Sequence, residues 1–116
     1  MDEAFWRAAE RLVEESELVI DRPKGSAHPR YPNFRYPLDY GYLRGTASMD
    51  GGGIDVWLGS DPSRRLTGLL CTVDLCKRDS EIKLCLGCTE EELRLALHQL
   101  NSGSMRALLL RRPDGP

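Results

Sequence analysis

Between Asp21 and Asp55 the chain concentrates residues suited to a multiply charged anion and a hard cation. From Arg22 to Arg44, five basic residues (Arg22, Lys24, Arg30, Arg35 and Arg44) stand against one acid, Asp39, a local charge of +4. Tyr31, Tyr36, Tyr40 and Tyr42 are interleaved with them. Guanidinium and ammonium groups bind phosphate oxygens strongly, Arg often through two parallel bonds, and phenols add neutral donors. Asp50-Gly-Gly-Gly-Ile-Asp55 follows. Its glycines allow a tight turn that sets two carboxylates close together. Such a pair, completed by water, suits magnesium, which keeps much of its hydration shell. For this hexapeptide by itself, a glycine-rich hairpin with solvated aspartates is the plainer alternative.

A second acidic group comprises Asp74, Asp79 and Glu81. In a strand beginning at Glu81, that residue shares a face with Lys83 and Cys85, while Ile82, Leu84 and Leu86 point the other way. A carboxylate beside an ammonium can hold a metal and a phosphate together, or can form an exposed ion pair worth little. Among the tyrosines, Tyr36 and Tyr42 are expected mostly in the core, which leaves about one phenol for the site. His28 and His98 have no evident partner that would make either a ligand or a base.

These residues need a framework. Residues 2–16 read as an amphipathic helix, with Phe5, Ala8, Ala9, Leu12 and Val13 at helical spacing and Trp6 packing on the body of the domain. Short strands are expected at 18–20, 40–43, 54–58, 69–75, 81–86 and 105–111, and the four prolines of 23–39 impose an extended, irregular path. Thr89-Glu90-Glu91-Glu92 is a capping box that opens a helix to about Leu100. The expectation is one α+β domain, mainly β with flanking helices. Residues 17–111 would form a small barrel or a strongly curved sheet of about five short strands, with a helix at 89–100 and a tail at 112–116.

Bulk properties narrow the function classes. A chain of 116 residues accommodates one domain, and its formal charge of −2 gives no global attraction to nucleic acid or anionic lipid. No apolar run approaches the roughly 18 residues of a membrane span. Asp2 and Glu3 directly after Met1 do not fit a signal peptide, so a cytoplasmic location is expected. Cys71, Cys76, Cys85 and Cys88 sit in or beside apolar runs, where Cys acts as a small hydrophobe. Reduced thiols are expected over disulfides or a zinc site.

The order and spacing of these elements resemble those of the soluble, metal-dependent inorganic pyrophosphatases. Val19-Ile-Asp-Arg-Pro23 is similar to their strand with an acid before proline, and Arg30-Tyr31 falls where they carry a phosphate-binding Lys-Tyr pair. Tyr36-Pro-Leu-Asp-Tyr-Gly-Tyr42 resembles their Tyr-Pro-x-x-Tyr-Gly-Tyr segment, with Tyr40 on the phosphate-binding tyrosine. Asp50 and Asp55 fall on the outer metal ligands of their Asp-x-Asp-Pro-x-Asp signature, and Glu81-Ile-Lys83 resembles their Asp-x-Lys element. Gly52 stands at the central aspartate, which acts on the nucleophilic water in that family. Cys76 takes the place of a further metal-binding aspartate, and the hairpin bearing a phosphate-binding arginine is absent.

The resemblance implies a five-stranded OB-like barrel and magnesium-dependent (or manganese-dependent) hydrolysis of a phosphoanhydride, with pyrophosphate or a larger diphosphate ester as substrate. Asp50 and Asp55 would be catalytic and, with Glu81, Asp79 and Asp74, would supply metal ligands. Arg30, Tyr40 and Lys83, helped by Lys24 or Arg35, would hold the substrate. Asp39, Asp74 and Asp79 are candidate bases. Two readings stay open beside this one: a non-catalytic module for a phosphorylated ligand, and a small RNA-binding barrel, which the balanced charge disfavours. The helix flank and the last strand offer contacts for a homo-oligomer.

Overall fold

The computed structural model describes residues 2–113. Two helices, α1 (Glu3–Glu14) and α2 (Glu90–Leu100), accompany six strands. The strands are β1 (Glu17–Arg22), β2 (Asp39–Arg44), β3 (Ile54–Leu58), β4 (Leu66–Asp74), β5 (Asp79–Leu86) and β6 (Met105–Arg111). They form one sheet in the order β1-β2-β3-β5-β4-β6. Only β3 and β5 run parallel; the other neighbours are antiparallel.

Alternation along each strand divides the sheet into two apolar faces. Leu43, Val56, Leu58, Leu69, Leu84 and Leu86 point to the side where α1 inserts Trp6, with Ala9 and Val13 beside it. Trp57, Leu70, Cys85 and Leu109 point to the other, where α2 contributes Leu93, Ala96 and Leu100. The helix at 90–100 starts as its sequence predicts: Thr89 accepts the Glu92 N–H, and the Glu92 carboxylate accepts the Thr89 N–H in return. The same carboxylate accepts the Ser60 N–H, which ties the helix start to the end of β3.

The sheet departs from the expected five-stranded barrel in two ways. Six strands form, and the sheet is open. β6 pairs with β4 along its length, from Gly68↔Arg111 to Asp74↔Met105, and β1 pairs with β2. The ladder thus ends at β1 on one side and β6 on the other. Gly41, between Tyr40 and Tyr42, is fixed by this pairing. A Cβ there would stand 1.8 Å from the Val19 carbonyl oxygen, beside the irregularity where β1 shifts register between Ile20 and Arg22. No side chain fits that space.

Residues 23–38 take the irregular path expected of them, with a single bridge between Ala27 and Arg35. Among the described residues no helix is long and apolar enough to cross a membrane. All four cysteines are free thiols, with Cys85 and Cys88 buried. Cys76 is exposed, because the β4–β5 turn carries it out of the apolar run that precedes it. Of the expected tail, Arg112 is still held by its N–H to Thr67 and its guanidinium to Glu10; residues 114–116 lie outside the described ones.

Candidate functional site

Register explains why residues far apart in sequence meet. Tyr40 lies opposite Trp57, and Trp57 lies beside Cys85 on the parallel strand. The residues two places earlier on β3 and β5, Asp55 and Lys83, therefore stand side by side on the face that carries Tyr40. Glu81 follows on that face, two residues before Lys83.

Lys83 is the centre of the group and is only 5% exposed. Its Nζ donates to Asp55 Oδ2 at 2.8 Å and to the Tyr40 hydroxyl at 2.9 Å, and lies 3.8 Å from Glu81 Oε1. A buried ammonium needs such partners, since its desolvation costs several kcal/mol. The Tyr40 ring stacks edge-on against Trp57, at 4.6 Å between centroids, which fixes where its hydroxyl points. Burial, with the Asp55 carboxylate next in effect, holds the Tyr40 phenol well above its usual pKa, so it stays a neutral donor.

The glycine loop joins this group through Ser48. The Ser48 hydroxyl lies 2.9 Å from Asp50 Oδ1 and 3.4 Å from Glu81 Oε2. Asp50 also accepts the Gly52 N–H at 2.9 Å. That backbone bond and the hydroxyl hold the Asp50 carboxyl below its ordinary range. Loop and strand thus assemble Asp50, Asp55, Glu81, Lys83 and Tyr40, all expected from sequence. Three carboxylates against one ammonium leave the cluster with a net negative charge.

Glu81 behaves differently from its neighbours. Burial raises its pKa above the ordinary 4.5; Lys83 opposes this, and Asp55, Asp50 and Asp79 add to the rise. An acid with a raised folded pKa binds its proton more tightly in the native state, so ionising it costs stability as pH climbs past 4.5. Glu81→Gln is therefore expected to melt above the wild type at neutral pH. The gain should shrink to nothing as pH falls through and below 4.5. Thermal melts across that range check it; a Gln variant melting lower at neutral pH contradicts the assignment.

Other expected residues are used differently. Asp74 accepts N–H groups from Cys76 and Lys77 and the Ser104 hydroxyl, which lower its pKa and commit it to the β4–β5 turn. Asp79 pairs with Asp74 in the ladder and acts on the site through its charge on Glu81. Asp39 accepts the Lys24 N–H and alternates away from the Tyr40 face. Asp39 and Asp74 are thus engaged by backbone N–H groups outside the Lys83 cluster.

The expected basic residues of the loop do not converge on Lys83. Lys24, Arg30 and Arg35 are exposed. Arg35 donates to the Gly25 carbonyl, and the Arg30 N–H donates to His28 Nδ1. Among the described residues, no hydrogen bond or ion pair joins their side chains to the cluster. Two cations that sequence reasoning did not assign to the site, Arg22 and Lys77, act at its border together with Arg30. His28 has its pKa lowered by burial first, then by the charges of Arg22, Lys77 and Arg30. Lys77 also acts on Asp50, and Arg22 on Tyr36. His28 stacks on Tyr36 at 6.2 Å, and Tyr36 lies 5.2 Å from Tyr40, so this positive field borders the cluster. Ser48 was missed too, although Ser two places before Asp50 in a turn is a recognisable local hydrogen-bonding pattern.

Among the described residues, no three His, Cys, Asp or Glu side chains share a preformed metal position. Magnesium asks for less: one or two carboxylates, with water and substrate phosphate completing the shell. Asp50 and Glu81, linked by Ser48, fit that requirement in donor chemistry. Asp55 is engaged by Lys83. Comparison of the chain with protein families, curated proteins and solved structures finds no match. The chemistry of the cluster is therefore read from its own geometry.

Proposed function

We propose that the cluster binds a small diphosphate compound and hydrolyses its phosphoanhydride bond, with inorganic pyrophosphate as the simplest substrate. The supporting observation is convergence. Tyr40, Asp55, Glu81 and Lys83 come from three strands, yet three of them lie within 4 Å of one buried ammonium. Arg22, Lys77 and Arg30 add positive charge at the border, where an anion approaches.

In this reading each side chain has a task. Lys83 and Tyr40 donate to phosphoryl oxygens, where negative charge grows during transfer. Asp55 holds the Lys83 ammonium in place. Asp50 and Glu81 would hold magnesium or manganese, which supplies charge neutralisation and Lewis acidity. Glu81 is the buried carboxyl beside Lys83 that takes the proton from the attacking water. Ser48 fixes the spacing between Asp50 and Glu81.

Phosphate release from pyrophosphate and from a panel of nucleoside diphosphate compounds, with magnesium and then manganese, tests the proposal. Release by the wild type should exceed that of Asp55→Asn by at least about 100-fold, the usual scale for a displaced catalytic group. No release above the Asp55→Asn control defeats the enzyme reading. Saturable pyrophosphate binding without turnover would establish a binding module instead. The feature favouring that second reading is Gly52, whose backbone N–H occupies Asp50 where a further carboxylate would serve catalysis.

A further inference from the structure

The sheet has an apolar surface that α1 does not cover. On its α1 side, β5, β4 and β6 form cross-strand rows: Ile82–Cys71–Leu108 and Leu84–Leu69–Leu110. The outer half of this surface is open: Ile82 is 44% exposed, Val73 51%, Leu108 61% and Leu110 45%. Alternation puts one charge there, Arg106, opposite Val73 at the margin. The surface continues into a groove of about 680 Å³ whose wall is the flank of α1 (Phe5, Ala8, Leu12). Phe5 and Leu12 are themselves 49% and 37% exposed.

We infer that this face is a dimer interface, occupied by the same face of a second copy of the chain. Six large apolar side chains, Phe5, Leu12, Val73, Ile82, Leu108 and Leu110, are each more than a third exposed, a concentration on the scale of the largest patches of monomers, roughly 300–600 Å². A patch of that scale supplies a large share of the roughly 800 Å² that each partner contributes to a standard interface. The rows of β4, β5 and β6 carry so little charge that they can meet themselves about a two-fold axis without burying unpaired ions, and the acid that lines the groove, Glu81, already has the Lys83 ammonium at 3.8 Å.

The thickness also agrees. Facing sheets pack about 10 Å apart, and a helix with its side chains is about 10–12 Å across. The helix α1 of each copy would thus stand as a side wall, its Phe5–Leu12 flank closing the ends of a sandwich. Pairing through the free edge of β6 is the competing arrangement, and the structure works against it. The Asn101 side chain accepts the Ala107 N–H at 2.9 Å and donates to the Ala107 carbonyl at 3.4 Å, which closes the middle of that edge.

Sedimentation of the full chain over a micromolar concentration series tests the inference. The wild type should sediment at twice the chain mass, and the association should be nearly insensitive to salt because little charge is buried. Leu108→Glu and Val73→Lys, both at exposed positions, should each raise the dissociation constant by at least about 30-fold. Far-UV circular dichroism confirms that each variant is folded; should one fail, the other carries the test. A monomeric wild type at micromolar concentration overturns the inference. A dimer unmoved by either substitution overturns it equally.

Discussion

Gly52→Asp is expected to raise the rate of phosphate release with magnesium by about 10²–10⁴-fold, the range a positioned acid–base group contributes. The three glycines of the loop are not equivalent, and only Gly52 has room. Gly51 has φ +83°, where an L side chain is strained, and a Cβ on Gly53 would stand 2.5 Å from the Leu43 carbonyl oxygen. A Cβ on Gly52 would meet only Asp50, with Oδ1 at 3.3 Å. That contact asks for a shift of a few tenths of an ångström by an exposed side chain. The backbone bond from residue 52 to Asp50 survives, since aspartate keeps its N–H. The new carboxylate lies between Asp50 and Asp55 in sequence, so it adds to the negative charge that draws a divalent cation. The same charge should raise the Glu81 pKa further, and the variant should be less stable without magnesium than with it. Gly51→Asp is the matched control, with a similar charge but a strained backbone, and should give no gain. Equal rates for wild type and a folded Gly52→Asp would remove the proposed role of this loop in catalysis.

Local patterns carried most of what was legible in the sequence. Alternation along Ile54–Leu58 and Glu81–Leu86 placed Asp55, Glu81 and Lys83 on the correct faces, because a strand allows only two directions. The capping box at Thr89 set the start of α2 to the residue. What sequence could not give was adjacency between strands. Nothing in residues 54–86 says that β3 pairs in parallel with β5 while β4 lies outside it. Without that pairing, Asp55 beside Lys83 is one option among several. The expected barrel failed for the same reason, since closure depends on which edges meet. The basic loop residues show the opposite error. Lys24, Arg30 and Arg35 have the right chemistry, but they are exposed and none of their side chains bonds the Lys83 cluster; Arg35 turns back to the Gly25 carbonyl instead. Lys77, a turn residue with no motif, comes closer.

Lys83→Met is expected to be the most damaging single substitution in the cluster, costing about 3–5 kcal/mol of stability. Methionine fills much the same volume as the lysine stem, so packing against the apolar face changes little. The loss comes from what remains. Asp55 loses a 2.8 Å partner, the Tyr40 hydroxyl loses a 2.9 Å one, and Glu81 loses the charge that opposes the rise in its pKa. Two carboxylates then face each other without a cation in a largely buried space. Without Lys83 the Glu81 pKa rises further in the folded state, so the penalty grows as pH climbs through the raised value and fades in acid, where Glu81 binds its proton. Urea denaturation at neutral and at acidic pH should therefore show the variant far below the wild type in the first case and close to it in the second. Adding Asp55→Asn should restore part of the loss, a coupling of about 0.5–3 kcal/mol for residues in one network. Lys83→Arg should not rescue function, because a planar guanidinium cannot take the place of a compact ammonium between Asp55 and Tyr40. If Lys83→Met proved as stable as the wild type at neutral pH, the ammonium would not be what offsets the buried carboxylates. The account of why these strands hold their charges together would then be wrong.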